Sequence, residues 1–288
     1  MHPVTLYFSI CFVLGGMSWA LHWGSQAQVL VLIMGLAVFP LQKFIHKGSI
    51  KELGFRACSP GQLAMGIILP LVILGLIGSF DILVGVAQLR PLADLNNPFT
   101  GAPVSSIGGL AWFLTLNGAI LFLLEFVTEE LMFRGYLLGK LLTLGEWRGL
   151  ALASGVFGLW HLPIAVWGIG LDPLDTPVYL MNMMLLGAVL GLLFMRSRSL
   201  IPVAAFHALW NSLEYNLFGF MDQRALLVGN SRLLFDPEEG IVGTVPLILV
   251  VALLMVWRYA PGRNIEKRAD ATGYLNADDS LSTKEETP

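Results

Sequence analysis

Residues 111–138 read AWFLTLNGAILFLLEFVTEELMFRGYLL. The stretch opens on an apolar run, Ala111 to Val127, and closes on Glu129, Glu130 and Arg134, with Glu125 one turn earlier. An uninterrupted apolar run of about 17 to 25 residues is long enough to span the hydrocarbon layer as a helix. In lipid the backbone has no water to bond, so a helix that satisfies its own N–H and C=O groups is the form such a run takes. Ionisable side chains at that depth are costly and mark functional positions.

The rest of the chain repeats the pattern. Apolar residues make up 56% of the 288 residues and charged residues 13%, with a mean hydropathy of +0.72, against roughly 25% charged in a soluble domain. Eight runs read as spans: Val4–Leu21, Val29–Phe44, Gln62–Phe80, Ala111–Val127, Leu150–Trp167, Val178–Met195, Ile201–Phe218 and Val242–Trp257. The expected fold is an all-α polytopic membrane helical bundle. Lys and Arg resist translocation and so mark cytoplasmic loops. With the N-terminus inside, Lys43, Lys47, Lys51, Arg56, Arg134, Lys140, Arg148, Arg196, Arg198, Arg258, Arg263, Lys267, Arg268 and Lys284 all fall on the cytoplasmic side, leaving Arg90, Arg224 and Arg232 outside. Both termini are therefore expected in the cytoplasm, with the bundle in the cell membrane.

One membrane domain over residues 1–260 and a polar cytoplasmic tail over 261–288, too poor in apolar surface to fold, account for the organisation. The segment from Asp81 to Gly109, with Pro91, Pro98 and Pro103, reads as an outer loop carrying a short interfacial helix. Cys11 and Cys58 suggest no disulfide framework. The N-terminus lacks the basic region of a cleaved signal peptide. The net charge of −3, with its bias in placement rather than sum, points to no nucleic-acid partner. The expected partners are membrane lipid and a peptide or membrane-protein substrate.

Three polar positions, Glu129, His161 and His207, approach one depth. Glu130 and Arg134 are four apart with the acid first, the favoured order for a helical ion pair. Glu129 is turned by about 100° from Glu130 and is free of that arginine, while Glu125 shares its face. His161 follows Phe157 by one turn and precedes Pro163, which leaves the local backbone irregular. His207 and Asn211, four apart, share a face of a later helix. At about 1.5 Å per residue, His161 lies roughly 20 Å from Arg148, His207 roughly 13 Å from Arg198 and Glu129 about 16 Å from Lys140, so all three approach one depth if the fourth helix continues past Arg134.

A carboxylate, two imidazoles and an amide in a dry cavity supply what peptide hydrolysis needs. The carboxylate takes a proton from water, and imidazole and amide N–H groups stabilise the oxyanion. Glu129, His161 and His207 are equally a Glu/His/His ligand set for catalytic Zn2+, and the residues alone do not choose between a metal and a metal-free glutamate mechanism. A rival reading is a non-enzymatic membrane protein, such as a transporter, immunity or scaffold protein, using the same cluster as a polar network. It predicts paired halves with broken helices, which this sequence lacks.

Three motifs on separate helices resemble those of the CPBP intramembrane proteases, the family of the CAAX prenyl endopeptidases and of bacterial relatives tied to bacteriocin processing and self-immunity. EExxxR reads Glu129-Glu130-Leu131-Met132-Phe133-Arg134, FxxxH reads Phe157-Gly158-Leu159-Trp160-His161, and HxxxN reads His207-Ala208-Leu209-Trp210-Asn211. The resemblance covers roughly Ala111 to Asn216. It implies an intramembrane endopeptidase in which Glu129 and His161 activate water and His207 and Asn211 form the oxyanion pocket, with Glu130 beside them in the catalytic motif.

Overall fold

The computed structural model describes residues 2–23, 25–92, 95, 104, 106–219, 225–229 and 231–259. Within them the chain is an all-α polytopic bundle, and six of its helical stretches are long and apolar enough to cross a membrane. Helix α1 (Pro3–Ala20) starts on a proline and on His2, whose Nδ1 accepts the Val4 N–H. Helix α2 (Ser25–Pro40) continues as one wide turn over Leu41–Ile45. Helix α3 (Pro60–Leu83) opens on a reciprocal cap in which Ser59 and Gln62 exchange side-chain and backbone bonds, with Pro60 where its missing N–H costs nothing.

Helix α4 (Ile107–Glu125), capped by Ser106, does not stop at the charged residues. It widens into π-type winding over Phe126–Leu138 and passes through α5 (Gly139–Leu141) to Leu144, one continuous stretch of 38 residues from Ile107. Helix α6 (Glu146–Trp160) ends just before Pro163, and the chain resumes as wide turns over Ile164–Ile169. Helix α7 (Thr176–Ser197) closes on Arg198 in the left-handed region, φ 52°, and Ser199 immediately caps α8 (Leu200–Leu213), which widens over Glu214–Phe218. A short α9 (Arg232–Phe235) leads to α10 (Ile241–Tyr259).

All eight apolar runs thus fold as helices. The run Ile201–Phe218 falls on α8, of 14 residues before it widens, and Val242–Trp257 on α10, whose apolar stretch Ile241–Trp257 is among the shorter ones. The loop after α3 carries a strand instead of helix where it is described: β1 (Ala87–Leu89) pairs antiparallel with β2 (Leu227–Gly229), Gln88 opposite Val228. The remainder of that loop, at 93–94, 96–103 and 105, lies outside the described residues, as does the segment 261–288 read as a polar tail.

Helix α8 is the axis of the site. Val203, Ala204, Phe206 and Trp210 are fully buried, with α3 and α4 packed against it. Small residues let backbones meet, which matters where lipid offers no hydrophobic drive between helices. A Cβ at Gly66 of α3 would overlap the Pro202 carbonyl of α8, and one at Gly35 of α2 would overlap the Val127 carbonyl just before the acidic pair.

Candidate active site

The widened segment after α4 delivers its charged side chains to α6 and α8. A π-type turn closes i to i+5 and is frequent at functional positions. Glu130, with no exposed surface, lies at the centre: its Oε1 accepts from Arg134 Nη1 at 2.8 Å and from His207 Nδ1 at 2.7 Å. Arg134, 2% exposed, also lays its guanidinium over the Phe157 ring, 4.0 Å from Cζ to the centroid. A buried cation is tolerated only when paired, and Glu130 and the ring face meet that need.

Phe157 is the hub of the α6 side. His161 and His207 both stand edge-on to its ring, with centroids at 4.7 Å and 6.1 Å. His161 Nδ1 lies 2.8 Å from the Phe157 carbonyl. A carbonyl can only accept, so Nδ1 carries the proton and a neutral His161 keeps its lone pair on Nε2. Glu129 is less buried than Glu130, and its Oε1 accepts from Trp160 Nε1 at 3.3 Å.

Asn211 donates Nδ2–H to Glu125 Oε1 at 2.9 Å, and Glu125 Oε2 stands 3.7 Å from His207 Nδ1. Glu125, Glu129 and His207 therefore meet, with one donor atom from each within 4.8 Å of the others. Two carboxylates and an imidazole are donors of the kind that hold a divalent ion such as Zn2+. His161 is not part of that group among the described residues; it reaches the site through Phe157. Sequence spacing puts Glu125 on the face of Glu129 without giving it a role. The i, i+4 relation to Glu129 is the available signal; a partner on α8 is not visible from spacing within one helix. Trp160 has no assigned role in the sequence either, although it sits inside the FxxxH motif.

A second buried polar cluster forms around Trp210, which lies between His207 and Asn211 on α8. Trp210 donates Nε1–H to Glu238 Oε1 at 2.7 Å, Asp236 Oδ1 accepts the Glu238 and Glu239 amides, and Asn182 of α7 donates to the Glu238 and Gly240 carbonyls and accepts from Thr244. These bonds fasten the start of α10 to α7 and α8.

Residues 111–213 match the family model of the Rce1-like proteins, described as type II CAAX prenyl endopeptidase Rce1-like. The matched region runs from α4 to the end of α8 and contains all three motifs, which bears out the resemblance to the CPBP and CAAX proteases. No curated protein and no solved structure matches the chain. The fold is that of an integral membrane protein, and its region from α4 to α8 is similar to the type II CAAX prenyl endopeptidases.

Proposed function

We propose that this protein is an intramembrane endopeptidase that hydrolyses a peptide bond near the cytoplasmic surface of the cell membrane, with both termini on that side. The observation that carries the reading is the division of labour between adjacent acids. Glu130 is fully buried and its Oε1 is held by Arg134 and His207, whereas Glu129 is more open and touches one indole N–H. The less engaged carboxylate is the general base.

In this mechanism Glu129 takes a proton from water while His161 Nε2 accepts a hydrogen bond from the water's other proton. The water oxygen bonds to the scissile carbonyl carbon, and the electron pair moves onto the carbonyl oxygen. Protonated His207, its Nδ1–H held by Glu130, donates Nε2–H to that oxyanion, and Asn211 donates an Nδ2–H. The tetrahedral carbon then expels the amine, which collects the proton from Glu129. Glu130 and Arg134 hold His207 without touching substrate. A divalent ion, where one is used, would be held by Glu125, Glu129 and His207, and would supply Lewis-acid polarisation and a more acidic bound water.

The substrate is a peptide or membrane protein entering from lipid. A test that works without an identified substrate compares newly formed peptide termini in membranes of cells expressing the wild type or Glu129→Gln. Termini formed by the wild type and missing from Glu129→Gln and His161→Ala at equal expression are expected. Indistinguishable sets would overturn the enzyme reading and favour a non-catalytic polar network.

A further inference from the structure

We infer that Glu125, which lies outside all three motifs, is a positioning residue that fixes the amide of Asn211 for the oxyanion; this deepens the hydrolytic reading and rests on it. Asn211 is 7% exposed, and among the described residues its side chain makes one hydrogen bond, Nδ2–H to Glu125 Oε1 at 2.9 Å. An amide whose ends are nearly identical in shape can present either nitrogen or oxygen to a neighbour. A carboxylate only accepts, so Glu125 selects the orientation with Nδ2 on its side. One N–H of that nitrogen is used, and the other stays available to the substrate. Without the carboxylate the amide can turn its Oδ1 toward the developing negative charge, which would raise the barrier rather than lower it.

The same carboxylate bridges the pocket. Glu125 Oε2 lies 3.7 Å from His207 Nδ1, and His207 and Asn211 are four apart on α8. His207 has a closer acceptor in Glu130 at 2.7 Å, so it does not depend on Glu125. Asn211 does. Glu125 is the last residue of α4 before the winding widens at Phe126, so its direction is set by regular helix while Glu129 and Glu130 follow the wider turns.

The test measures kcat and KM of the purified protein in proteoliposomes, using a quenched-fluorescent peptide that spans a cleavage site found by the terminal-peptide comparison. Glu125→Ala is expected to lower kcat by about 10- to 100-fold, below the loss for a whole oxyanion donor, with KM within about threefold. Glu125→Gln, whose Oε1 can accept from Asn211 but whose amide can also turn its nitrogen that way, is expected to lose activity to a degree between wild type and Glu125→Ala, whereas Glu125→Asp, which keeps the charge but withdraws it by one methylene, is expected to fall with Glu125→Ala. In an Asn211→Ala background, Glu125→Ala should cost little more, since residues acting as a unit are not additive. Equal losses for Glu125→Gln and Glu125→Ala, or additive losses with Asn211→Ala, would overturn the inference. If Glu125→Ala does not accumulate, the comparison of Glu125→Gln with Glu125→Asp decides by itself. Wild-type cleavage by Glu129→Gln would instead remove the hydrolytic reading, and the inference with it.

Discussion

His207 Nδ1 and Arg134 Nη1 share one acceptor, Glu130 Oε1, at 2.7 Å and 2.8 Å. This oxygen ties α8 to the widened end of α4 in a place with almost no exposed surface. Removing one member of a buried ion pair leaves the other uncompensated, at a cost of about 3–5 kcal/mol. Glu130→Ala and Arg134→Ala should each lower the thermal midpoint in detergent sharply and abolish cleavage. The double variant Glu130→Leu with Arg134→Leu should recover much of that stability but none of the activity, because His207 has then lost its close acceptor. Thermal unfolding beside the fluorescent peptide assay separates the two; recovered activity in the double variant would show that Glu130 serves packing alone.

Phe157 holds its place in FxxxH through Arg134 above its ring and the two imidazoles at its edge. Phe157→Leu keeps an apolar side chain but removes the ring that the Arg134 guanidinium and the two imidazoles address, a change of about 0.5–2 kcal/mol for the cation–ring contact. Cleavage should fall while the protein still folds, and Phe157→Tyr, which keeps the ring face, should fold less well because its hydroxyl must be placed in a site where Phe157 is only 1% exposed. Arg134→Lys should not rescue, since lysine lacks the planar group that both stacks and donates.

Much of this was legible from sequence, for physical reasons. Hydrocarbon demands long apolar helices, so the helical bundle and its long apolar stretches announced themselves, and the i, i+4 relation between Glu130 and Arg134 is visible in any helical register. The π-type winding over Phe126–Leu138 has no residue signature, because it differs from α-winding only in which carbonyl each N–H meets. The β1 and β2 pairing joins two three-residue segments far apart in the chain, too short to show alternation. Asn182, Trp210 and Glu238 lie far apart in the sequence; the bonds that gather them exist only once α7, α8 and the start of α10 have packed.

Acid should stabilise the cluster of Asp236 and Glu238. Burial, and secondarily the charge of Asp236, push the Glu238 carboxyl up to about 8, and burial pushes Asp236 up to about 6. Both folded-state values lie above the unfolded ones, so the stability they contribute is fully present at acid pH and is lost as pH rises through about 6 and then about 8. The thermal midpoint should fall from about pH 4, where both carboxyls begin to ionise in the unfolded chain, to about pH 8, most steeply below about 6 where both contribute. Glu238→Gln, which can still accept from Trp210 Nε1–H at a site 2.7 Å away, should flatten the alkaline part of that fall. A wild-type midpoint independent of pH across the window would rule the account out.

The acidic pair depends on a helix that carries none of the motifs. Gly35 of α2 packs against the Val127 carbonyl and comes within 3.0 Å of Thr128 Cα for a Cβ placed there, immediately before Glu129. Both obstacles are backbone, which cannot swing aside as a side chain can, so Gly35→Val must push α2 away or shift the segment that aims Glu129. Overpacking of this kind costs about 1–3 kcal/mol. Because the displaced atoms belong to Glu129's own turn, the loss of cleavage should exceed what the fall in thermal midpoint alone explains. Gly75 of α3 provides the control: no described atom lies within 4 Å of a Cβ there, and Gly75→Ala should leave both readings at wild-type level or raise the midpoint slightly, as alanine does in an open helix position. Equal behaviour of the two variants would mean that α2 does not support the site.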